Sequence, residues 1–274
     1  MCKTLEASRS GFYAWLGREE SVRAREDYRL TVLIRGVHDE SGGVYGSPRV
    51  HQELVRRGVV CGLNRVERLM RAAGLRSIVR RRFRVKTTDS NHSHPIAPDL
   101  VGRDFTTEAP NQVWVSDITY IPTDEGWLYL AATMDLFSRK IVGWSMSSTL
   151  HASIAIDALQ MALDQRQPPA GLIHHSDRGV QYAARDFREL LAAHGLQASM
   201  SRKGNCYDNA AMESFFHSLK TERVHHAWYR SRAAARACLF DYIEAFYNRR
   251  RLHSTLGYKT PDEVEHAHVA TSAA

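Results

Sequence analysis

Three β-rich runs in quick succession constrain this chain more than any other feature. They occupy residues 112–121 (QVWVSDITYI), 127–136 (WLYLAATMDL) and 140–147 (KIVGWSMS). The turns between them are short, Thr123-Asp124-Glu125-Gly126 among them, which predicts an antiparallel meander. Beyond the meander the pattern alternates. A helix is expected over 151–165 with Ile154, Ala155, Ala158, Leu159 and Ala162 inward, then a strand over 171–175, a helix over 184–194 and a strand over 196–201. A meander followed by α-β-α-β-α predicts an α/β domain on a mixed five-stranded sheet flanked by helices.

The next helix falls in NCYDNAAMESFFHSLK, residues 205–220, with Asp208 placed to cap its start. Met212, Phe215, Phe216 and Leu219 form its apolar face, while Glu213, His217 and Lys220 lie on another, with Asn209 one turn before Glu213. A longer helix is expected over 233–247.

The N-terminal third has a different character. Residues 1–86 hold 19 lysines and arginines against 9 acidic residues, a net of +10, whereas the remainder carries 18 against 21, a net of −3. Such asymmetry suggests a polyanion-gripping module joined to one that acts on the polyanion. Short helices are expected here. One carries Phe12, Tyr13, Trp15 and Leu16 behind a Ser8 or Ser10 cap, and one covers 27–34. Another begins near Pro48 and stops at Gly58, and the last is capped by Asn64 and stops at Gly74. Decorated with Arg49, Arg56, Arg57, Arg65, Arg68 and Arg71, the last two suit a helix-turn-helix-like unit, or a small helical subdomain whose arginines are merely solvated. The apolar side chains at 12–16 need a partner that so short a segment does not supply, and this suggests that part of the working protein lies upstream. Residues 76–86 (RSIVRRRFRVK) form the densest basic run, with Arg80, Arg81 and Arg82 suited to neutralising phosphates. The aperiodic stretch 87–110 reads as a linker, the core is expected over 111–230, and 231–274 as a helix and tail packing on it.

The four cysteines are scattered without a CxxC pair, which suggests neither a disulfide framework nor a zinc site, and His92 and His94 belong to the linker. No apolar run reaches membrane-spanning length and no signal peptide is visible, so a cytoplasmic protein is expected.

Candidate chemistry centres on carboxylates. Asp117 lies in a strand that is apolar on both faces, where an ionised carboxylate must be paired, protonated or placed on a metal. Asp177 follows the strand ending His174-His175-Ser176, at the kind of strand end where ligands collect, although an Asp-Arg-Gly turn alone would account for it. Thirty-five residues separate Asp177 from Glu213, enough for a helix, a strand and a turn that return the last helix across the sheet. Oxygen-only ligands suit Mg²⁺ or Mn²⁺, and two such ions about 4 Å apart support in-line phosphoryl displacement. Lys220, Arg202 and Lys203 are placed to hold phosphate, and Asn209 and Asp135 are secondary candidates beside the site. Trp114, Trp127 and Trp144 are expected in the core, His174 and His175 as strand residues, and Leu256 and Tyr258 in packing, with Arg249, Arg250 and Arg251 open between DNA contact and packing.

The strings TYIPTDEGWLYLAATMDLFSRKIVGWSMS, HHSDRGVQY, SRKGNCYDNAAMESFFHSLKTE and YNRRRLHSTLGYKTPDEVE resemble the insertion-sequence transposases with a retroviral-integrase-type core, over residues 8–265. The group is the one whose enzyme is made by frameshift fusion of two reading frames. The resemblance implies a ribonuclease-H-like fold carrying an Asp-Asp-Glu triad, here Asp117, Asp177 and Glu213, with Lys220 at the basic position seven residues after the glutamate. It also implies a helix-turn-helix-like segment around Tyr45-Gly46-Ser47-Pro48-Arg49. The implied activity is two-metal-ion cleavage of transposon ends by water, then attack of a 3′-hydroxyl on target DNA. The implied partners are DNA, the product of an upstream overlapping frame and further copies of the chain on DNA, in a bacterial protein at the nucleoid.

Overall fold

The computed structural model describes residues 8–78, 95–102, 106–201 and 209–272. Asp208, Arg80, Arg81, Arg82, Arg202, Lys203, His92 and His94 lie outside the described residues. The chain divides into two compact units, with the break after Ile78.

The first unit is helical. Ser8 caps α1 (Arg9–Leu16) by accepting from the Gly11 N–H at 3.3 Å, and Ser21 caps α2 (Val22–Glu40) through the Ala24 N–H at 3.1 Å. Helix α2 runs well past the expected residues 27–34, because Leu30, Ile34 and Val37 continue its buried stripe. Pro48 occupies the first turn of α3 (Ser47–Arg56), while α4 (Leu63–Ala72) starts two residues earlier than expected, from Gly62 rather than Asn64. Gly58 and Gly74 take positive φ values of 77° and 68° directly after these helices, the left-handed conformation that ends them. Ile34, Val50, Leu54 and Val66 make the unit's core.

The second unit is built on one mixed sheet. Strands β1 (Val113–Thr123), β2 (Gly126–Asp135) and β3 (Ile141–Ser147) form the expected antiparallel meander. Strands β4 (Ile173–Ser176) and β5 (Gln197–Met200) join in parallel on the other side of β1, giving the order β3-β2-β1-β4-β5. That is the ribonuclease-H-like sheet. Helix α5 (Ser153–Arg166) crosses over from β3 to β4, and after a one-turn α6 (Val180–Ala183), helix α7 (Arg185–Ala193) leads into β5. Trp114 and Val142 of the sheet meet Ala155, Leu159, Phe187 and Leu191 of these helices in a continuous apolar core. Helices α8 (Ala210–Glu222) and α9 (Arg232–Phe240) pack against β1 and β2.

The single helix expected over 233–247 is interrupted. Helix α9 passes into a π-helical turn, Asp241–Tyr247, whose wider winding buries Tyr242, Ile243, Phe246 and Tyr247 together. Of the tryptophans expected inside, only Trp114 is fully buried. Trp127 is 45 % exposed at the β1–β2 hairpin, and Trp144 is half-buried with its indole N–H donating to Glu244 at 2.7 Å. Leu256 and Tyr258 are half-buried, while Leu252 is fully buried.

The C-terminal segment is bolted to this unit by polar contacts. The Asn248 side chain pairs with the backbone of Ile141 through both its amide groups, at 3.0 Å each, and so acts as an extra strand residue at the edge of β3. Glu265 of α10 (Pro261–Ser272) accepts from Ser138 and pairs with Arg166. Arg251, left open between DNA and packing by the sequence, is turned inward. Its guanidinium meets the Glu222 carboxylate at 2.6 Å, with both residues over nine-tenths buried, and the Tyr242 hydroxyl donates to the same carboxylate at 2.6 Å. This cluster pins the C-terminal end of α8.

Removing one partner of such a pair leaves the other charge buried and unpaired. Arg251→Ala is therefore expected to cost about 3–5 kcal/mol of stability, read as a fall in the urea midpoint. An unchanged midpoint would mean the pair is not buried in solution.

Candidate active site

The site begins with strand register. Parallel pairing sets Ser116 of β1 opposite Ser176 of β4, so the next residues along each strand, Asp117 and Asp177, emerge side by side. Neighbouring strands lie only about 4.8 Å apart, which forces the two carboxylates into one small volume. The Asp177 carboxylate folds onto its own turn and accepts from the Gly179 N–H at 2.9 Å. A Cβ at Gly179 would stand 2.9 Å from that same oxygen, so only glycine leaves the turn room. Asp117 accepts from the Ile118 N–H at 2.7 Å.

The electrostatics follow from that crowding. Burial pushes the Asp117 carboxyl well above the usual carboxylate range, the Asp177 charge pushes it further, and Glu213 adds a smaller push. The Ile118 N–H and the Lys220 ammonium act the other way. Lys220 itself is lowered by burial and raised by Asp117, and its ammonium sits 4.7 Å from the centre of the Tyr120 ring. Glu213 lies on the first turn of α8, exposed overall, with its carboxyl raised by partial burial.

Helix α8 is held to the sheet at this point by Asn209. Its Nδ2 donates to the Ser116 carbonyl at 3.1 Å, one residue before Asp117 on the chain. Since Glu213 is one turn beyond Asn209, this contact sets how near the helix carboxylate comes to the strand carboxylates. The structure thus brings Asp117 and Asp177 together and places Glu213 and Lys220 within electrostatic reach. Among the described residues, no group of three or more His, Cys, Asp or Glu side chains is drawn tightly enough to hold a metal ion.

Asp135 requires a correction, because it does not belong to this site. Its register partner is Trp114, three residues before Asp117 and about 10 Å away along the strand. There it accepts from the Asn111 and Phe137 N–H groups and the Trp114 indole, with Arg166 alongside, which makes it a structural anchor for the β2–β3 turn. His174 and His175 are buried strand residues. His174 bonds Ser116 at 2.8 Å and is pushed down to about 3 by burial and by its neighbour His175, while His175 bonds Ser199 at 2.9 Å.

Sequence reasoning missed Tyr182. It lines the same cleft as Asp117, Asp177, Tyr120 and Gln181, and burial together with the charges of both aspartates holds its phenol well above the usual range. The only signal was its place at the end of the string HHSDRGVQY.

A family model described as an HTH-like domain matches residues 25–83, and two described as an integrase core domain match 107–206 and 194–261. The chain is 47 % identical over 261 residues to the insertion element IS600 uncharacterized 31 kDa protein of Shigella sonnei, covering 95 % of this chain and 96 % of that one. It is 43 % identical over 272 residues to the transposase InsF for insertion sequence IS3A of Escherichia coli (strain K12), covering 98 % and 94 %. The chain belongs to the IS3-type insertion-sequence transposases. Among solved structures, the simian T-cell lymphotropic virus intasome is similar at 14 % identity and a TM-score of 0.47, over 85 % of this chain and 74 % of that one. The HTLV-2 integrase catalytic core domain in complex with magnesium is similar at 16 % and 0.43, over 58 % and 99 %. At such scores neither adds to the assignment.

In this transposase four arginines of the helix-turn-helix-like unit are held in ion pairs. Arg57 meets Glu40 and Glu53, Arg65 and Arg68 share Asp27, and Arg71 meets Glu67. Hydrogen bonds from Arg68 and Arg65 hold Asp27 below its usual range. Arg49 lies against the Tyr45 ring at 5.8 Å.

Asn209→Ala removes the tie between α8 and β1 while leaving the Glu222–Arg251 anchor intact. Amide exchange over Glu213–Phe216, the first amides with acceptors inside the helix, is expected to quicken by about fivefold, a loss near 1 kcal/mol, with the last turn of α8 unchanged. Equal exchange in wild type and variant would show that the tie does not hold the helix.

Proposed function

We propose that this transposase cleaves DNA at transposon ends and joins the freed ends to target DNA, as a metal-dependent polynucleotidyl transferase whose working carboxylates are Asp117, Asp177 and Glu213. The observation that carries the reading is the β1–β4 register, which crowds Asp117 against Asp177 in a cleft where burial, and then the Asp177 charge, raise the proton affinity of Asp117. A buried carboxylate crowded by a second one carries an electrostatic cost that a bound cation would relieve, and the oxygen-only chemistry of the pair fits Mg²⁺ or Mn²⁺. Asp117 and Asp177 would hold the ions, with Glu213 completing the set. Bound divalent ions would supply charge neutralisation at the phosphodiester and activation of the attacking oxygen.

The chain's own groups have separate tasks. Lys220, propped on the Tyr120 ring beside Asp117, holds a non-bridging phosphate oxygen. Asn209 keeps the first turn of α8 against β1 so that Glu213 stays within reach. In cleavage the water oxygen bonds to phosphorus as the bond from phosphorus to the 3′-oxygen breaks. In joining, that 3′-hydroxyl oxygen bonds to a target phosphorus as the bond from that phosphorus to the target 3′-oxygen breaks; the attacking group's proton is lost, the freed target 3′-oxygen takes one up, and no covalent bond to the protein forms. DNA is gripped by the helix-turn-helix-like unit with Arg49, by the basic run with Arg80, Arg81 and Arg82, and by Arg202 and Lys203.

The chain works with the product of an upstream overlapping frame, joined by frameshifting, and as an oligomer on DNA. In support, α1 turns an aromatic face outward, with Tyr13 62 % and Trp15 65 % exposed. Among the described residues no helix is long and apolar enough to cross a membrane.

Asp117→Asn, Asp177→Asn and Glu213→Gln should each lower end cleavage by at least about a hundredfold while leaving the dissociation constant for end DNA within about twofold. Cleavage that survives all three would sink the reading. Changing Arg80, Arg81 and Arg82 to Ala should weaken binding to any DNA and reduce the slope of log K against log salt by about 3, measured by fluorescence anisotropy.

A further inference from the structure

Tyr182 is 2 % exposed on the short helix α6, with its ring edge-on to Phe187 at 5.4 Å and 6.3 Å from His174. Its hydroxyl has no hydrogen-bond partner among the described residues. A buried hydroxyl without a partner disfavours the folded state, and phenylalanine would fill the same space without that cost. The nearby polar groups are already engaged. His174 bonds Ser116, the Gly179 N–H holds one oxygen of Asp177, and the Ile118 N–H holds one oxygen of Asp117. Yet the phenol lines the same cleft as both aspartates. It is therefore a buried donor on the cleft of two acceptors, hydrogen-bonded to neither.

We infer that Tyr182 is a positioning residue for the strand-transfer site, whose buried O–H turns to good use when the Asp117–Asp177 pair closes on a divalent cation and one carboxylate oxygen comes within its reach. The inference rests on the reading that these two carboxylates hold the cation. A ligating carboxylate needs its remaining oxygen oriented, and hydrogen-bond donors behind the ligands commonly supply this. The phenol would do so from a buried position, the residue being only 2 % exposed.

The test is Tyr182→Phe in the full chain, which keeps the ring and its packing and removes one oxygen. Thermal midpoints are measured without metal and across a MnCl₂ titration, and end cleavage is followed at limiting and saturating Mn²⁺. The metal-free midpoint of the variant should equal or exceed that of wild type. The Mn²⁺ concentration giving half of the thermal shift should rise about tenfold. Cleavage should fall at limiting Mn²⁺ and recover at saturation. A metal-free midpoint well below wild type would mean that the hydroxyl is already bonded, and would overturn the inference. Identical Mn²⁺ titrations would overturn it as well. Asp177→Asn separates the two levels: if wild type shows a Mn²⁺ shift that Asp177→Asn abolishes but Tyr182→Phe leaves unchanged, only the role of Tyr182 fails. If wild type shows no shift, the carboxylate reading falls and takes this inference with it.

Discussion

Everything at the site depends on four parallel residue pairs between β1 and β4, Val113 opposite Ile173 through Ser116 opposite Ser176. A parallel ladder slipped by one residue would turn one aspartate to the opposite face of the sheet, because side chains alternate along a strand. The register is secured on the core side by Trp114, His174 and Phe187, all fully or nearly fully buried, and by the Ser116–His174 hydrogen bond. The apolar core therefore fixes an electrostatically unfavourable arrangement, two acids crowded in a poorly solvated cleft. That arrangement is the expected mark of a place reserved for cations.

Helix α8 brings the third carboxylate and the lysine, and it is fastened at both ends by polar groups. At its start Asn209 reaches the β1 backbone, and at its end Glu222 is locked by Arg251 and Tyr242. Between them Met212, Phe215 and Leu219 pack inward with essentially no exposure. Burying the Glu222–Arg251 pair gains little net stability over an apolar substitute, but it specifies one seating for the helix, because any other seating strands a charge. The seating matters because Glu213 lies four residues beyond Asn209 and Lys220 two residues before Glu222, so both inherit the helix's placement.

Asp117 was visible in the sequence because it broke a local pattern, an acid within an apolar strand, whereas Asp177 read equally well as a turn residue and Glu213 and Lys220 stood out only through the spacing of the three acids and the resemblance to transposases. Asp135 broke the same kind of pattern at the end of an apolar run, yet it serves a turn, since its neighbours in space are Asn111, Trp114 and Arg166. Arg251 looked like one of three surface arginines and is the counter-ion of a buried glutamate. Tyr182 read as an ordinary aromatic residue, and only its surroundings make its hydroxyl notable. Trp127 had the hydrophobicity of a core residue but falls at a hairpin where the sheet offers no cover.

The sequence by itself determined the five strands and most of the helices, where glycines stop α3 and α4, and which carboxylates are candidates for a divalent ion. These properties arise from a residue and its near neighbours along the chain, so periodicity and residue type suffice. Only the tertiary structure decided that β4 adds to β1 rather than to β3, that Asp117 consequently stands beside Asp177, and that Asp135 and Arg251 are consumed by structural pairs. Those outcomes depend on which surfaces meet across long stretches of chain, and the energy that chooses among them lies in packing and desolvation that no local pattern records.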